Sequence, residues 1–245
     1  MTWNVTHCRS GSSVPLIVWP HGGPHSVITT DFKTIVMFFC QLGYGVLYVN
    51  YRGSLGFGED NVRSLLGRVG DQDVQDCHEA TLASLDNLPQ LARDKVVLMG
   101  GSHGGFLVTH LAGQFPDLYK AAVAINPVTN LASLAGVSDI PDWSFNEAGL
   151  KYNYLHPTPE NLATMWDKSP IKHIENIKAP ILLLIGKKDL RVNPTQGYEF
   201  YHSLKALGKT VEMNVYEDNH PIGKFEHALD WKINSALFLN KHLGL

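Results

Sequence analysis

The sequence predicts an α/β domain whose mostly parallel sheet is covered by helices on both faces. Short apolar runs alternate with segments of helical periodicity from residue 14 to residue 243. The run 180–186 is apolar almost throughout, which is typical of a strand buried on both faces. At 245 residues, the chain is long enough for one large domain with a full core.

Six strands and five longer helices are expected. The predicted strands are 14–19, 45–50, 95–100, 121–125, 180–186 and 211–216. The predicted helices are 31–42, 73–88, 105–114, 194–207 and 225–243. The stretch 126–168 has no strand signal, and we expect it to shape a substrate pocket beyond the strand ends. Residues 1–13 are polar and weakly patterned, so we expect them to lie outside the core.

Composition narrows the class of function. A formal net charge of −3 gives no electrostatic basis for binding nucleic acid or an anionic membrane surface. No apolar run is long enough to span a membrane, and no basic-then-apolar leader is visible. The 3 cysteines are far apart and include no CxxC pair, which fits a reducing compartment. These features predict a cytoplasmic protein.

The segment 96–106 carries the clearest chemical signal. An apolar run leads into Gly-Gly-Ser-His-Gly-Gly, and a helical segment follows. A Gly-x-Ser-x-Gly motif between a buried strand and a helix is typical of a nucleophilic serine on a tight turn. Ser102 is therefore the candidate nucleophile.

A serine nucleophile needs a base and an orienting carboxylate, which parallel sheets place just after strand ends. Asp189 is the only acid in the loop after the strand 180–186, and His220 is the only histidine in the loop after 211–216. The chain order of Ser102, Asp189 and His220 is that of the α/β-hydrolase fold.

Three nearby residues are rival candidates for these roles. His227 lies inside the closing helix pattern and should face away from the strand ends. Glu217 and Asp218 share a loop with the candidate base, so we expect them to be solvated charges rather than the orienting group.

An oxyanion needs two hydrogen-bond donors. The backbone N–H of His103, the residue after the candidate nucleophile, is one. The glycine pair Gly22 and Gly23 follows the neighbouring strand, and we expect the backbone of Gly23 to supply the second.

Several motifs together resemble the catalytic domain of the prolyl oligopeptidase family of serine peptidases, and within it the acylaminoacyl-peptidase branch. They are His-Gly-Gly-Pro-His-Ser at 21–26, the glycine-rich 50–58, Met-Gly-Gly-Ser-His-Gly-Gly-Phe at 99–106, Asp-Ile-Pro-Asp-Trp at 139–143, 168–171, 189–192 and 241–244. The resemblance implies release of an N-acylated residue, such as an N-acetyl amino acid, from the blocked end of a short peptide. It also implies that Arg191 helps hold the substrate, that no cofactor or metal is needed, and that the protein is cytoplasmic and oligomeric.

The sequence departs from this family in its organisation. It predicts one catalytic domain over 14–245 without the family's β-propeller, preceded only by 1–13 where the family has further strands. We expect an exposed sheet edge, and association either with a second copy or with propeller-containing full-length subunits. Two alternatives remain: a carboxylesterase or a prolyl- or dipeptidyl-type peptidase of the same superfamily, and an inactive domain that binds full-length subunits.

Overall fold

The computed structural model describes residues 2–6, 13–152 and 157–245, excluding the side chains of 2–5. The described residues form one sheet with the spatial order β1-β3-β2-β4-β5-β6-β7. Its strands are β1 (Thr2–Thr6), β2 (Val14–Pro20), β3 (Gly45–Asn50), β4 (Leu91–Gly101), β5 (Tyr119–Ile125), β6 (Ile181–Gly186) and β7 (Val211–Tyr216). Strands β2 to β7 are parallel, and β1 runs antiparallel to β3.

Helices connect and cover the strands. Within the described residues they are α1 (Thr34–Gln41), α2 (Glu59–Arg63), α3 (Gln72–Asn87), α4 (His103–Gln114), α5 (Leu131–Leu134), α6 (Pro141–Glu147), α7 (Pro159–Asp167), α8 (Thr195–Ala206) and α9 (Phe225–Leu243). A 3₁₀ helix, Pro170–Asn176, follows α7.

The sheet separates two apolar core layers. Along β2, Leu16 packs into one layer with side chains of α3, α4 and α8, whereas Ile17 packs into the other with side chains of α1 and α9. Successive strand residues point to opposite faces, so a sheet covered on both sides needs apolar residues at nearly every position. The predicted parallel, doubly covered α/β fold is confirmed.

The predicted strands and helices are present, with shifted ends. Strand β4 begins at Leu91, four residues before its predicted start, because the exposed Arg93 and Asp94 interrupt the apolar run. The stretch 126–168 forms no strand among its described residues and contains α5, α6 and α7, while the short α2 was not predicted.

The N-terminal segment contributes a strand, Thr2–Thr6, that the sequence did not predict. These residues pair with β3 from Thr2 opposite Asn50 to Thr6 opposite Val46, so β1 covers the edge of β3 that we expected to be exposed. Five residues are too few for a clear strand pattern, and the pairing partner lies about 40 residues away in sequence. Residues 7–12 lie outside the described part of the chain.

Among the helices that the structure describes, none combines the length and apolarity that crossing a bilayer requires.

Candidate active site

Ser102 lies on a strained turn between β4 and α4. Its φ of 58° and ψ of −124° fall outside the regions that non-glycine residues usually adopt. A Cβ atom at Gly100 would lie 2.6 Å from the carbonyl oxygen of Gly104, and one at Gly104 would lie 2.4 Å from that of Pro20. Both positions therefore require glycine, and the motif Gly-x-Ser-x-Gly is the sequence that this turn permits.

The candidate base and acid are hydrogen-bonded to each other. The distance from His220 Nδ1 to Asp189 Oδ2 is 2.5 Å. The other carboxylate oxygen of Asp189 accepts the backbone N–H groups of Arg191 at 2.8 Å and Val192 at 3.0 Å. Asp189 is only 1% exposed, so these donors replace its hydration.

The tautomer of His220 follows from this contact. An ionised carboxylate can only accept, so Nδ1 of His220 carries a proton, and in the neutral ring the lone pair is therefore on Nε2. The imidazole is partly exposed, at 29%, which leaves its outer edge accessible to a reactant.

Ser102 and His220 line the same cavity, whose volume is about 300 Å³. The described residues around these two groups are mostly apolar and include one cation, Arg191. Its other lining residues are Gly23, Val128, Leu134, Ser138, Ile140, Trp143, Arg191 and Val192. A candidate nucleophile and a candidate base in a concave, mainly apolar site fit the usual arrangement of an enzyme active site.

The predicted oxyanion donors flank Ser102. His103 is the first residue of α4, where backbone N–H groups have no partner inside the helix. On the other side, a Cβ atom at Gly22 would lie 3.3 Å from Ser102 Cβ, so this loop runs directly against the nucleophile. The next residue, Gly23, lines the cavity and has a φ of 127°.

The side chain of His103 has a role that the sequence did not indicate. Its Nε2 lies 2.8 Å from Asp73 Oδ2 on α3, and both side chains are fully buried. Asp73 also accepts the backbone N–H groups of Gly70 and Val74. This buried contact anchors the first turn of α4, which carries the candidate oxyanion donor.

Arg191 lines the cavity and pairs with Asp139, a residue of the 139–143 motif. The distances are 2.6 Å from Nε to Oδ1 and 3.2 Å from Nη2 to Oδ2. The hydrogen bond from Arg191 lowers the pKa of Asp139 below its ordinary value, and the same contact raises the pKa of Arg191. The Arg191 side chain remains 47% exposed and can still contact a ligand.

The rivals to the candidate base and acid have other roles. His227 Nδ1 lies 3.0 Å from Asp218 Oδ2, and His227 is not among the described residues that line the cavity. Glu217 is exposed and pairs with Lys187, as expected for a solvated charge. For Asp218 that expectation was wrong: it is 5% exposed and accepts the backbone N–H groups of Asn219 and Lys224. The adjacent acids Glu217 and Asp218 look alike in the sequence, which did not indicate that Asp218 is buried and holds the His220 loop through its hydrogen bonds.

Backbone strain also marks the loop behind His220. Ile222 is fully buried and has a φ of 46°, a value that is rare for a β-branched residue. Its N–H donates to the carbonyl of Asn219 at 3.1 Å, which closes the turn that carries His220. Burial of this side chain and the hydrogen bonds of Asp218 together offset the strain.

Asn126 connects the candidate acid and base loops, and sequence reasoning missed it. Its Nδ2 donates to the carbonyl oxygen of His220 at 2.7 Å, and its Oδ1 accepts the N–H of Gly186 at 2.7 Å. It directly follows β5 with a φ of 41°, a conformation that asparagine tolerates better than most residues. In the sequence, the sign of this role is an asparagine directly after a predicted strand.

Among the described residues, no cluster of three or more His, Cys, Asp or Glu side chains could hold a metal ion.

The fold and the chain order of Ser102, Asp189 and His220 define the class, an α/β-hydrolase domain. The model of the prolyl oligopeptidase family matches residues 30–245, and the chain belongs to that family.

Individual relatives agree with this membership. The acylamino-acid-releasing enzyme of Mus musculus is 47% identical over 95% of this chain and 32% of its own. An acylaminoacyl peptidase of Pyrococcus horikoshii superposes with a TM-score of 0.91 at 29% identity, over 98% of this chain and 39% of its own. A puromycin-hydrolyzing peptidase of Mycobacterium tuberculosis has a TM-score of 0.91 at 26% identity, over 99% and 37%. The chain thus spans about a third of the length of the curated relatives it matches.

Replacing Asn126 with Asp should slow turnover by the domain. The new carboxylate at position 126 still accepts the Gly186 N–H but cannot donate to the His220 carbonyl. The His220 loop therefore loses its hydrogen bond to the residue that holds it to the end of β6. We expect kcat for p-nitrophenyl acetate to fall about tenfold and the free energy of unfolding in urea to fall by about 1–2 kcal/mol. Asn234→Asp, on α9 outside the cavity lining, is the matched control. A kcat equal to that of the control would show that Asn126 does not position the candidate base, His220.

Proposed function

We propose that this domain is a serine hydrolase that releases an N-acylated amino acid from the blocked N-terminus of short peptides through an acyl-enzyme. The observation that carries the proposal is the His220–Asp189 hydrogen bond at 2.5 Å in the cavity that Ser102 also lines. It supports roles for Ser102 as nucleophile, His220 as base and Asp189 as the orienting acid.

The reaction proceeds in two halves. Ser102 Oγ attacks the carbonyl carbon of the acylated residue while its proton passes to His220 Nε2. The backbone N–H groups of His103 and Gly23 stabilise the negative oxygen of the tetrahedral intermediate. His220 then protonates the leaving amine, and the shortened peptide departs. Water repeats the sequence on the ester, which frees the N-acylated amino acid and restores the Ser102 hydroxyl.

Asp189 keeps His220 in the required tautomer throughout. Its carboxylate accepts the Nδ1 proton, which directs Nε2 toward Ser102 and stabilises the imidazolium that forms during attack. Asp189 also accepts two backbone N–H groups, which hold its carboxylate in place beside His220.

The cavity supports a small, uncharged acylated residue. About 300 Å³ accommodates one side chain with a short acyl group, and its walls are mainly apolar. Arg191 is proposed to donate to a substrate carbonyl, since its exposed guanidinium keeps donors beyond those that Asp139 accepts. The names of the mouse and Pyrococcus relatives, an acylamino-acid-releasing enzyme and an acylaminoacyl peptidase, support the same substrate class.

The proposal extends to location and assembly. The sparse cysteines support the cytoplasm. Resemblance to a family of oligomeric enzymes supports a homo-oligomer or association with propeller-containing subunits.

A second candidate is a peptidase that acts on unblocked substrates. The Mycobacterium neighbour, described as a puromycin-hydrolyzing peptidase, superposes as well as the acylaminoacyl peptidase does. Since puromycin carries a free α-amino group, this likeness favours a comparison of blocked and unblocked substrates.

Ser102→Ala should abolish turnover of N-acetyl-alanyl p-nitroanilide. We expect kcat to fall by at least about 10³-fold, because the residual rate comes only from binding and the oxyanion donors. Ser203→Ala on α8 is the matched control and should keep the wild-type rate. A Ser102→Ala variant that retained its activity would refute the assignment of the nucleophile.

A substrate panel separates the proposed function from its alternatives. N-acetyl-alanyl, free alanyl and glycyl-prolyl p-nitroanilides and p-nitrophenyl butyrate should be compared by kcat/KM at one pH. We expect the N-acetyl substrate to exceed the two free-amine substrates in kcat/KM by at least about tenfold, since the described residues that line the apolar cavity include no carboxylate. Preference for a free amine would favour the puromycin-hydrolyzing type, and turnover of the ester alone would favour a carboxylesterase. Folded protein inactive toward all four would support a binding role.

A further inference from the structure

A buried acid and a histidine meet in a second cleft, outside the cavity that Ser102 and His220 line. His25 Nε2 lies 3.3 Å from Glu147 Oε1, and the Glu147 side chain is 4% exposed. His25 Nδ1 lies 2.8 Å from the carbonyl oxygen of Gly53. A carbonyl only accepts, so Nδ1 donates to it, and a carboxylate acceptor at Nε2 favours the doubly protonated, charged imidazole.

The environment of His25 agrees with a charged ring. The hydrogen bond to Glu147 raises the pKa of His25 above its ordinary value, with a further contribution from the Gly53 carbonyl. His21, in the same loop, is the opposite case: burial lowers its pKa to about 4, so it is neutral. Tyr51 stacks on His21 and donates to its carbonyl at 2.8 Å. The charged groups that line the cleft beside the pair are exposed: Glu59, Arg63 and Lys151.

The pair joins two parts of the site. His25 follows Gly23 by two residues, and Glu147 ends α6. Earlier on the same helix, Trp143 Nε1 donates to the carbonyl oxygen of Gly23 at 3.2 Å, and Trp143 also lines the cavity. Residues four apart lie on one helix face, so α6 contacts the loop at Gly23 and at His25.

We propose that His25 and Glu147 are a positioning pair that clamps the 21–26 loop onto α6 and so fixes the Gly23 N–H that stabilises the oxyanion. The inference rests on the proposed function of Ser102. Neither side chain touches the reacting atoms; they act through the backbone of Gly23. Because an oxyanion donor acts on the transition state, the pair governs kcat rather than KM.

The pH dependence follows from the sign of the shift. A raised pKa means that the charged pair is fully present below the ordinary histidine value of 6.5. It is lost as the pH rises through the raised value, when His25 becomes neutral opposite a buried carboxylate. We therefore expect kcat to decline on the alkaline side.

The test is a double-mutant cycle on the 245-residue chain. Glu147→Gln keeps the shape of the side chain and removes its charge, and His25→Asn keeps a donor for the Gly53 carbonyl while losing the contact to Glu147. With N-acetyl-alanyl p-nitroanilide, we expect each single variant to lower kcat about tenfold with KM changed by less than about twofold. The double variant should be no slower than the slower single one, and Glu147→Gln should move the alkaline decline to lower pH.

Glu59→Gln is the matched control, since it removes one carboxylate from the same cleft without touching the pair; it should leave kcat and its pH profile unchanged. The inference would be overturned by any of three results: a kcat that is unchanged in both single variants, losses in kcat that multiply in the double variant, or an effect on KM alone. Circular dichroism melting checks each fold, and His25→Asn carries the test if Glu147→Gln does not fold.

NMR separates this inference from the proposed function. If the wild type hydrolyses no substrate, the proposed function fails, and the pair is judged by titration alone. The amide resonance of Gly23 should shift with the ionisation of His25 in the wild type, at a lower pH in Glu147→Gln. A Gly23 amide that does not respond to His25 would overturn the clamp whatever the activity.

Discussion

The close approach of α4 to the end of β2 is the contact on which the rest of the site depends. A side chain at Gly104 would collide with the carbonyl of Pro20, and one at Gly22 would press on Ser102. Only glycine backbone at these points lets the turn at Ser102 lie against the 21–26 loop. That approach brings the candidate nucleophile and the candidate oxyanion donors together at the carboxyl ends of the parallel strands.

A second layer of buried polar contacts holds this arrangement. Asp73 anchors the start of α4 through His103, and Asn126 ties the His220 loop to the end of β6. Glu147 reaches the 21–26 loop from α6. Each contact includes at least one buried side chain, namely Asp73, Asn126 or Glu147, which would lose a hydrogen-bond or ion-pair partner if the other group were removed. The proposed chemistry thus draws on elements from across the chain.

The local sequence predicted the sheet, the helices and the residues that follow strand ends. The candidate residues Ser102, Asp189 and His220 could be found in the sequence because each follows an apolar run, and parallel strands bring those ends together. The residues that support them could not be found in this way. Contacts between segments distant in sequence decide whether Asp218 is solvated or buried. They also decide which groups Asn126 bonds to. The pairing of β1 with β3 is likewise a long-range event that five residues cannot signal.

The central claim is that Ser102 is an activated nucleophile, and covalent labelling tests it most directly. The folded protein would be treated with a fluorophosphonate, which loses fluoride to an activated serine, and the adduct would be mapped by peptide mass spectrometry. We expect one adduct per chain, on the peptide that contains Ser102, and its loss in His220→Ala. An adduct on a different serine, or none on folded protein, would contradict it.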